Sequence, residues 1–195
     1  MKKELSTRDR IVRAADDLFY RRGFEATSFT DIAEAVEISR GNFYHHFKSK
    51  DEILDAVVQS RLTGTRRMLE TWDAEGESPI ERIRSFIDIL IRNRALILKC
   101  GCPVGTLSTE LAKLDHAALP NANELFELFR TWLRRQFERL GRSGDAEVLA
   151  MQLLARTQGV ATLANAFHDE QFLRREVAEM HAWLDECATI RGGSG

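Results

Sequence analysis

Apolar residues recur every three to four positions along nearly the whole chain, and no segment alternates with the two-residue period of a strand. Ile11, Ala14, Ala15, Leu18 and Phe19 make one helical stripe, with Ser6 or Thr7 as its cap and Gly23 as its stop. A short second helix follows Ser28 and turns Ile32, Ala33 and Val36 inward. Ser39 caps a third, Arg40 to Phe47, in which Phe43 and Phe47 share a face. A longer helix opens at Ser49-Lys50-Asp51-Glu52, where acidic residues suit the helix dipole. It carries Ile53, Leu54, Val57, Val58 and Leu62 to about Trp72.

The polar stretch Ala74–Ser78 reads as a loop, and Pro79 suits the first turn of a fifth helix. That helix bears Ile83, Ile87, Leu90 and Ile97 and ends near Leu98. Cys100-Gly101-Cys102-Pro103-Val104-Gly105 interrupts the pattern. A short helix over Thr106–His116 follows, then a longer one from Pro120 with Leu125, Phe126, Phe129, Leu133, Phe137 and Leu140. After the loop Gly141-Arg142-Ser143-Gly144, two last helices span about Asp145–His168 and Glu170–Ile190. The expectation is an all-α protein of about nine helices. Residues 1–50 form a three-helix head, 51–190 a helical body, and 191–195 a disordered tail.

Residues 29–47 meet the physical needs of a helix-turn-helix. The scaffold helix is short with small residues inside, so a partner can pack across it. The second helix buries one face and presents the other to a major groove. Phe43 and Phe47 bury, which leaves Arg40, Gly41, Tyr44 and His45 outward. An arginine can fork to guanine, a glycine permits close approach, and a tyrosine reaches a base or phosphate. His45 and His46 are adjacent and diverge around a helix, so they do not read as a metal site.

Thr30-Asp31-Ile32-Ala33-Glu34-Ala35 and Ile38-Ser39-Arg40-Gly41-Asn42-Phe43-Tyr44-His45-His46-Phe47-Lys48-Ser49-Lys50-Asp51 resemble the DNA-binding signature of the TetR family. The likeness covers roughly residues 7–55. It implies base contacts from Thr30, Arg40, Gly41 and Tyr44, and phosphate contacts from Ser28, Asn42, His46 and Lys50. It also implies a homodimer built from the last two helices, a double-stranded DNA operator, and a small-molecule effector held in the body. Repression is the family's usual mode. One departure stands out: Glu37 occupies a turn position where the family usually has glycine.

In the body, Leu173, Val177, Met180, Leu184 and Cys187 follow the 4-3-4-3 spacing of a bundle seam. Ala155, Gly159, Thr162 and Ala166 give the preceding helix a small-residue face, for internal packing or for a dimer. The expected dimer set is Ala155, Gly159, Thr162, Ala166, Val177, Met180 and Leu184. Arg94 falls where the stripe of the fifth helix expects an apolar residue, so it either snorkels or places a cation in a pocket. Phe86, Phe129, Trp132 and Gln158 complete the candidate effector set with Arg94 and Cys102, the usual mix of an apolar cavity with few polar groups. The effector expected from this set is largely apolar, with room for a negative charge.

Composition changes little. The formal charge is −2, with a mild split: residues 1–50 hold 10 Lys and Arg against 8 Asp and Glu. The three cysteines do not make a disulfide framework. Cys100 and Cys102 are small residues packed at a bend or, since Gly101-Cys102 resembles a segment of TetR-like electrophile regulators, a reactive thiol site at Cys102. No leader or membrane-length apolar run is seen, which points to the cytoplasm. No nucleotide, hydrolase or zinc-peptidase motif occurs, so neither an enzyme, a cofactor nor a metal is expected.

Overall fold

The computed structural model describes residues 5–189, save the side chain of Arg40. The expected tail at 191–195 and the end of the last helix at Ile190 lie outside the described residues. All secondary structure among those residues is helical. Helix α1 is Thr7–Arg22, opened by Ser6, whose hydroxyl accepts the Asp9 N–H at 3.1 Å. Helix α2 is Phe29–Val36, opened by a capping box in which Ser28 and Asp31 each take the other's backbone N–H. Helix α3 is Arg40–His46, and α4 is Lys50–Glu75.

The fifth expected helix is three. Helix α5 (Pro79–Ile87) ends at Asp88, α6 is Ile89–Arg92, and α7 (Arg94–Cys100) restarts after Asn93. The backbone ψ is −9° at Asp88 and 9° at Asn93, far from the helical value. No proline or glycine lies between Ile80 and Cys100 to announce these breaks. Asp88 is held from elsewhere, by His181 Nε2 at 2.9 Å. Helices α8 (Pro103–Lys113), α9 (Leu119–Arg139), α10 (Ala146–Phe167) and α11 (Glu170–Thr189) complete the described chain. Counting α5–α7 as one path recovers the nine expected helices.

Two compact units result, and neither follows a single cut at residue 50. One is Met1–Gly64 with Thr106–Leu125, the other Thr65–Gly105 with Phe126–Gly195. In the first, Ile11, Phe19, Ile32, Phe43 and Phe47 are buried, as are Ile53, Leu62, Leu107 and Leu111. In the second, α10 packs on α7 and α11, and α11 packs on α5 and α6. Its core includes Trp72, Ile87, Phe129, Trp132 and Leu153.

The stripe on α11 lies in that core: Val177 is 5% exposed, and Met180 and Leu184 are fully buried. These three were expected in the dimer seam, but the chain itself covers them. The 4-3-4-3 spacing marks a seam within one chain. On α10, by contrast, Ala155, Gly159, Thr162 and Ala166 are exposed.

Candidate DNA-binding interface and effector site

The outward side of α3 carries Gly41, Asn42, Tyr44 and His45, all exposed, with His46 half-buried beside them. A side-chain carbon added at Gly41 would meet nothing of the chain within 4 Å, so no internal contact calls for glycine there. Tyr44 is 48% exposed, and its ring stacks on Phe29 at 5.6 Å between centroids. Phe29 also meets the buried Phe43 edge-on at 5.2 Å. The first residue of α2 is thus an aromatic platform that fixes the ring of Tyr44. Phe29 heads the inward stripe, three, four and seven residues before Ile32, Ala33 and Val36, so helical spacing carried the signal for it.

Ser28 is exposed and Thr30 half-buried at the start of α2. The Ser28 hydroxyl and N–H both bind the Asp31 carboxylate, and together with Arg22 they hold Asp31 below its ordinary pKa. Lys50 departs from expectation. Its ammonium donates to the carbonyls of Phe24 (3.0 Å) and Glu25 (3.3 Å) and lies 4.3 Å from the centre of the Phe24 ring. It reaches back into the α1–α2 turn, not outward to a phosphate. Lys48, two residues earlier, is exposed and donates to the Tyr44 carbonyl at the end of α3.

In the second unit, Phe86 and Phe129 meet at 5.4 Å, and Trp72 and Trp132 at 5.6 Å. Trp132 Nε1 and Gln136 Nε2 both donate to Asp73 Oδ1, at 3.2 and 2.9 Å. Gln136 is fully buried, and its Oε1 has no hydrogen-bond partner among the described residues. Leaving a buried acceptor unpaired costs about 1–3 kcal/mol. Gln136 follows Trp132 by four residues, so it is a polar residue on an apolar stripe, the signal that drew attention to Arg94. Gln158 lies against the start of α8: its Oε1 is 2.6 Å from where a side-chain carbon on Gly105 would stand, and the Cys102 Cβ is 3.6 Å away.

Arg94 does not join the effector candidates. Its side chain is 41% exposed, pairs with Glu170 Oε1 at 3.1 Å and donates to the Ile91 carbonyl. Ile97, further along the same stripe, is buried with Ile83, Ile87 and Leu90, so the stripe continues through α7 and Arg94 snorkels from its place on it to Glu170. Among the cysteines, Cys100 and Cys102 are half-buried and Cys187 is buried. Burial raises the Cys187 pKa, which keeps that thiol protonated. Among the described residues, no helix is long and apolar enough to cross a membrane, and no three His, Cys, Asp or Glu side chains gather to hold a metal ion.

Comparison with known proteins gives this arrangement its class. Residues 11–57 match the bacterial regulatory proteins of the tetR family, and residues 79–179 match the transcriptional regulator LmrA/YxaF-like C-terminal domain. The chain is 33% identical to the transcriptional repressor Rv3405c of Mycobacterium tuberculosis over 73% of this chain and 68% of that one. It is 30% identical to a helix-turn-helix regulator from Lactococcus lactis over 62% of this chain and 63% of that one. It is 27% identical to the Mycobacterium repressor DhaR over 65% and 62%. The match spans a little under two thirds of each of these last two relatives. A TetR regulator from Legionella pneumophila superposes with a TM-score of 0.81 at 26% identity, covering 95% of this chain and 98% of the other. The chain belongs to the TetR family of helix-turn-helix transcriptional regulators. Its C-terminal domain is of the LmrA/YxaF-like type, which the resemblance over residues 7–55 did not reach.

Proposed function

We propose that the protein is a homodimeric repressor that binds a pseudo-palindromic operator through α2 and α3 and releases it when a small molecule enters the second unit. The observation that carries the DNA reading is the outward face of α3, where Gly41, Asn42, Tyr44 and His45 stand exposed over a packed aromatic base. Arg40 at the head of the helix and Thr30 on α2 complete the base-reading set, with Ser28, His46 and Lys48 toward phosphates. Lys50 acts from behind, on the α1–α2 turn. Repression follows the relatives that are named repressors, Rv3405c and DhaR among them.

The dimer reading rests on α10. Val148 (55% exposed), Met151 (44%), Leu163 (45%) and Phe167 (73%) accompany the small residues Ala155, Gly159, Thr162 and Ala166 along its exposed side. An added side-chain carbon at Gly159 meets nothing within its own chain, which suits close approach of a second helix. For the effector, the aromatic pairs and the unpaired Gln136 Oε1 favour a largely apolar molecule that presents a hydrogen-bond donor. Loss of Arg94 from the set removes the reason to expect an anion.

Selection of bound duplexes from a random pool tests the DNA reading. The expected product is a pseudo-palindrome with half-sites one helical turn apart, about 34–36 Å. Arg40→Ala or Tyr44→Ala then relaxes preference at one position of each half-site, by about 1–3 kcal/mol. Recovery of no site, or equal losses on all sequences for both variants, overturns it.

A further inference from the structure

We propose that Glu110 is a positioning residue for DNA contact: from α8, far from the helix-turn-helix in sequence, its carboxylate holds the α1–α2 turn and so sets where α2 begins. The inference rests on the DNA reading above and adds a residue that the family signature does not contain. The match to the DNA-binding family ends at residue 57, whereas Glu110 lies in the C-terminal match. The compact unit nevertheless includes Thr106–Leu125 with Met1–Gly64.

The turn is bound on both sides of its peptide groups. Glu110 Oε2 accepts the Phe24 N–H and Oε1 the Glu25 N–H, each at 2.9 Å. Lys50 donates to the carbonyls of the same two residues. Two residues whose backbone groups no helix ladder satisfies are thus held by an anion from α8 and a cation from α4. Charge-assisted hydrogen bonds of this kind are stronger than neutral ones.

The surroundings fit such a clamp. Gly23 has φ +95°, and a side-chain carbon there would stand 2.9 Å from Glu110 Oε1, so glycine both makes the turn and admits the carboxylate. His116, just beyond α8, meets the Phe24 ring edge-on at 5.1 Å and stands 3.4 Å from Asp51. Thr27 closes the turn by donating to the Gly23 carbonyl at 2.7 Å. Ser28 and Thr30, the candidate contacts on α2, follow directly. Movement of this turn moves them.

The experiment compares wild type with Glu110→Gln and Glu110→Ala in the full chain, on the duplex recovered from the random pool, well below the melting temperature. Glutamine keeps the volume but sets an NH2 group against a backbone donor. Removing a negative charge by itself strengthens binding to a polyanion. The clamp predicts the opposite sign: on the order of tenfold weaker binding for both variants, equivalent to about 1.4 kcal/mol. Amide exchange at Phe24 and Glu25 should accelerate, with helix content retained. Unchanged or tighter DNA binding, or amides that stay protected in Glu110→Ala, overturns the proposal. If Glu110→Ala does not fold, Glu110→Gln carries the same comparison. If wild type recovers no site, the DNA reading falls instead, and slow exchange in either variant still refutes the clamp.

Discussion

Glu37 has φ 57° and ψ 47°, the left-handed conformation that closes α2. Its N–H bonds the Glu34 carbonyl at 3.1 Å, and the Ile38 N–H reaches the Ala33 carbonyl at 3.2 Å, so the turn is made despite a side chain there. A non-glycine residue pays about 1 kcal/mol for that geometry. Glu37→Gly should therefore raise stability by roughly this amount in urea unfolding; a loss would mean that the Glu37 side chain contributes more than the strain removes. Asp31 makes the second prediction. Its folded pKa is lowered, first by the Ser28 hydroxyl, so it binds protons less readily folded than unfolded. Its contribution is present above the unfolded carboxylate pKa of about 3.9 and is lost as pH falls through the folded value. Asp31→Asn should flatten the acid limb of the stability profile, and an unchanged limb would assign that limb to other carboxylates.

Among elements, α10 and α11 show how far periodicity reaches. Spacing identified both apolar stripes, because neighbours three and four apart always share a helical face. It could not say whether the covering partner belongs to the same chain. On α11 the partners are α5, α6, α7 and α10. The exposed side of α10 is the one available to a second copy. Because a side-chain carbon added at Gly159 meets nothing within its own chain, Gly159→Leu should leave the monomer's fold intact. At the proposed seam it should cost about 1–3 kcal/mol by overpacking. Sedimentation at low micromolar concentration should then show monomer with unchanged helix content. A full-strength dimer would place the interface off α10. The breaks at Asp88 and Asn93 teach a related lesson. They carry no proline or glycine, and Asp88 is held by a histidine 93 positions away.

At the scale of the molecule, chain order and compact units disagree. Leu107, Leu111, Ala118, Ala122 and Leu125 are buried in the unit that also holds α1–α3. A fragment ending at Gly64 lacks these side chains and the Glu110 clamp, and a chain of that length has little core to spare. It should give poorly dispersed amide resonances and a shallow melt, whereas the full chain melts cooperatively. A well-dispersed spectrum from the fragment would show that residues 106–125 are dispensable to the head.

The helix-turn-helix was legible because its determinants are local. Ser28 and Asp31 cap over three residues, Phe43 and Phe47 face inward by a four-residue spacing, and Gly23 stops α1 where its own backbone allows. Short-range spacing also exposed Tyr44 and left Gly41 with nothing to pack against. Long-range placement was not legible. Lys50 looked like a phosphate ligand until the α1–α2 carbonyls came within its reach. Arg94 could either snorkel or enter a pocket until Glu170 came within its reach, and Glu110 had no apparent task until the turn came within 2.9 Å of it. A charged side chain is held by whichever opposite or complementary group the fold brings near. Helical spacing carries no information about groups dozens of residues away, so the helices and their caps are written in the sequence while the partners of the charges are decided by the tertiary structure.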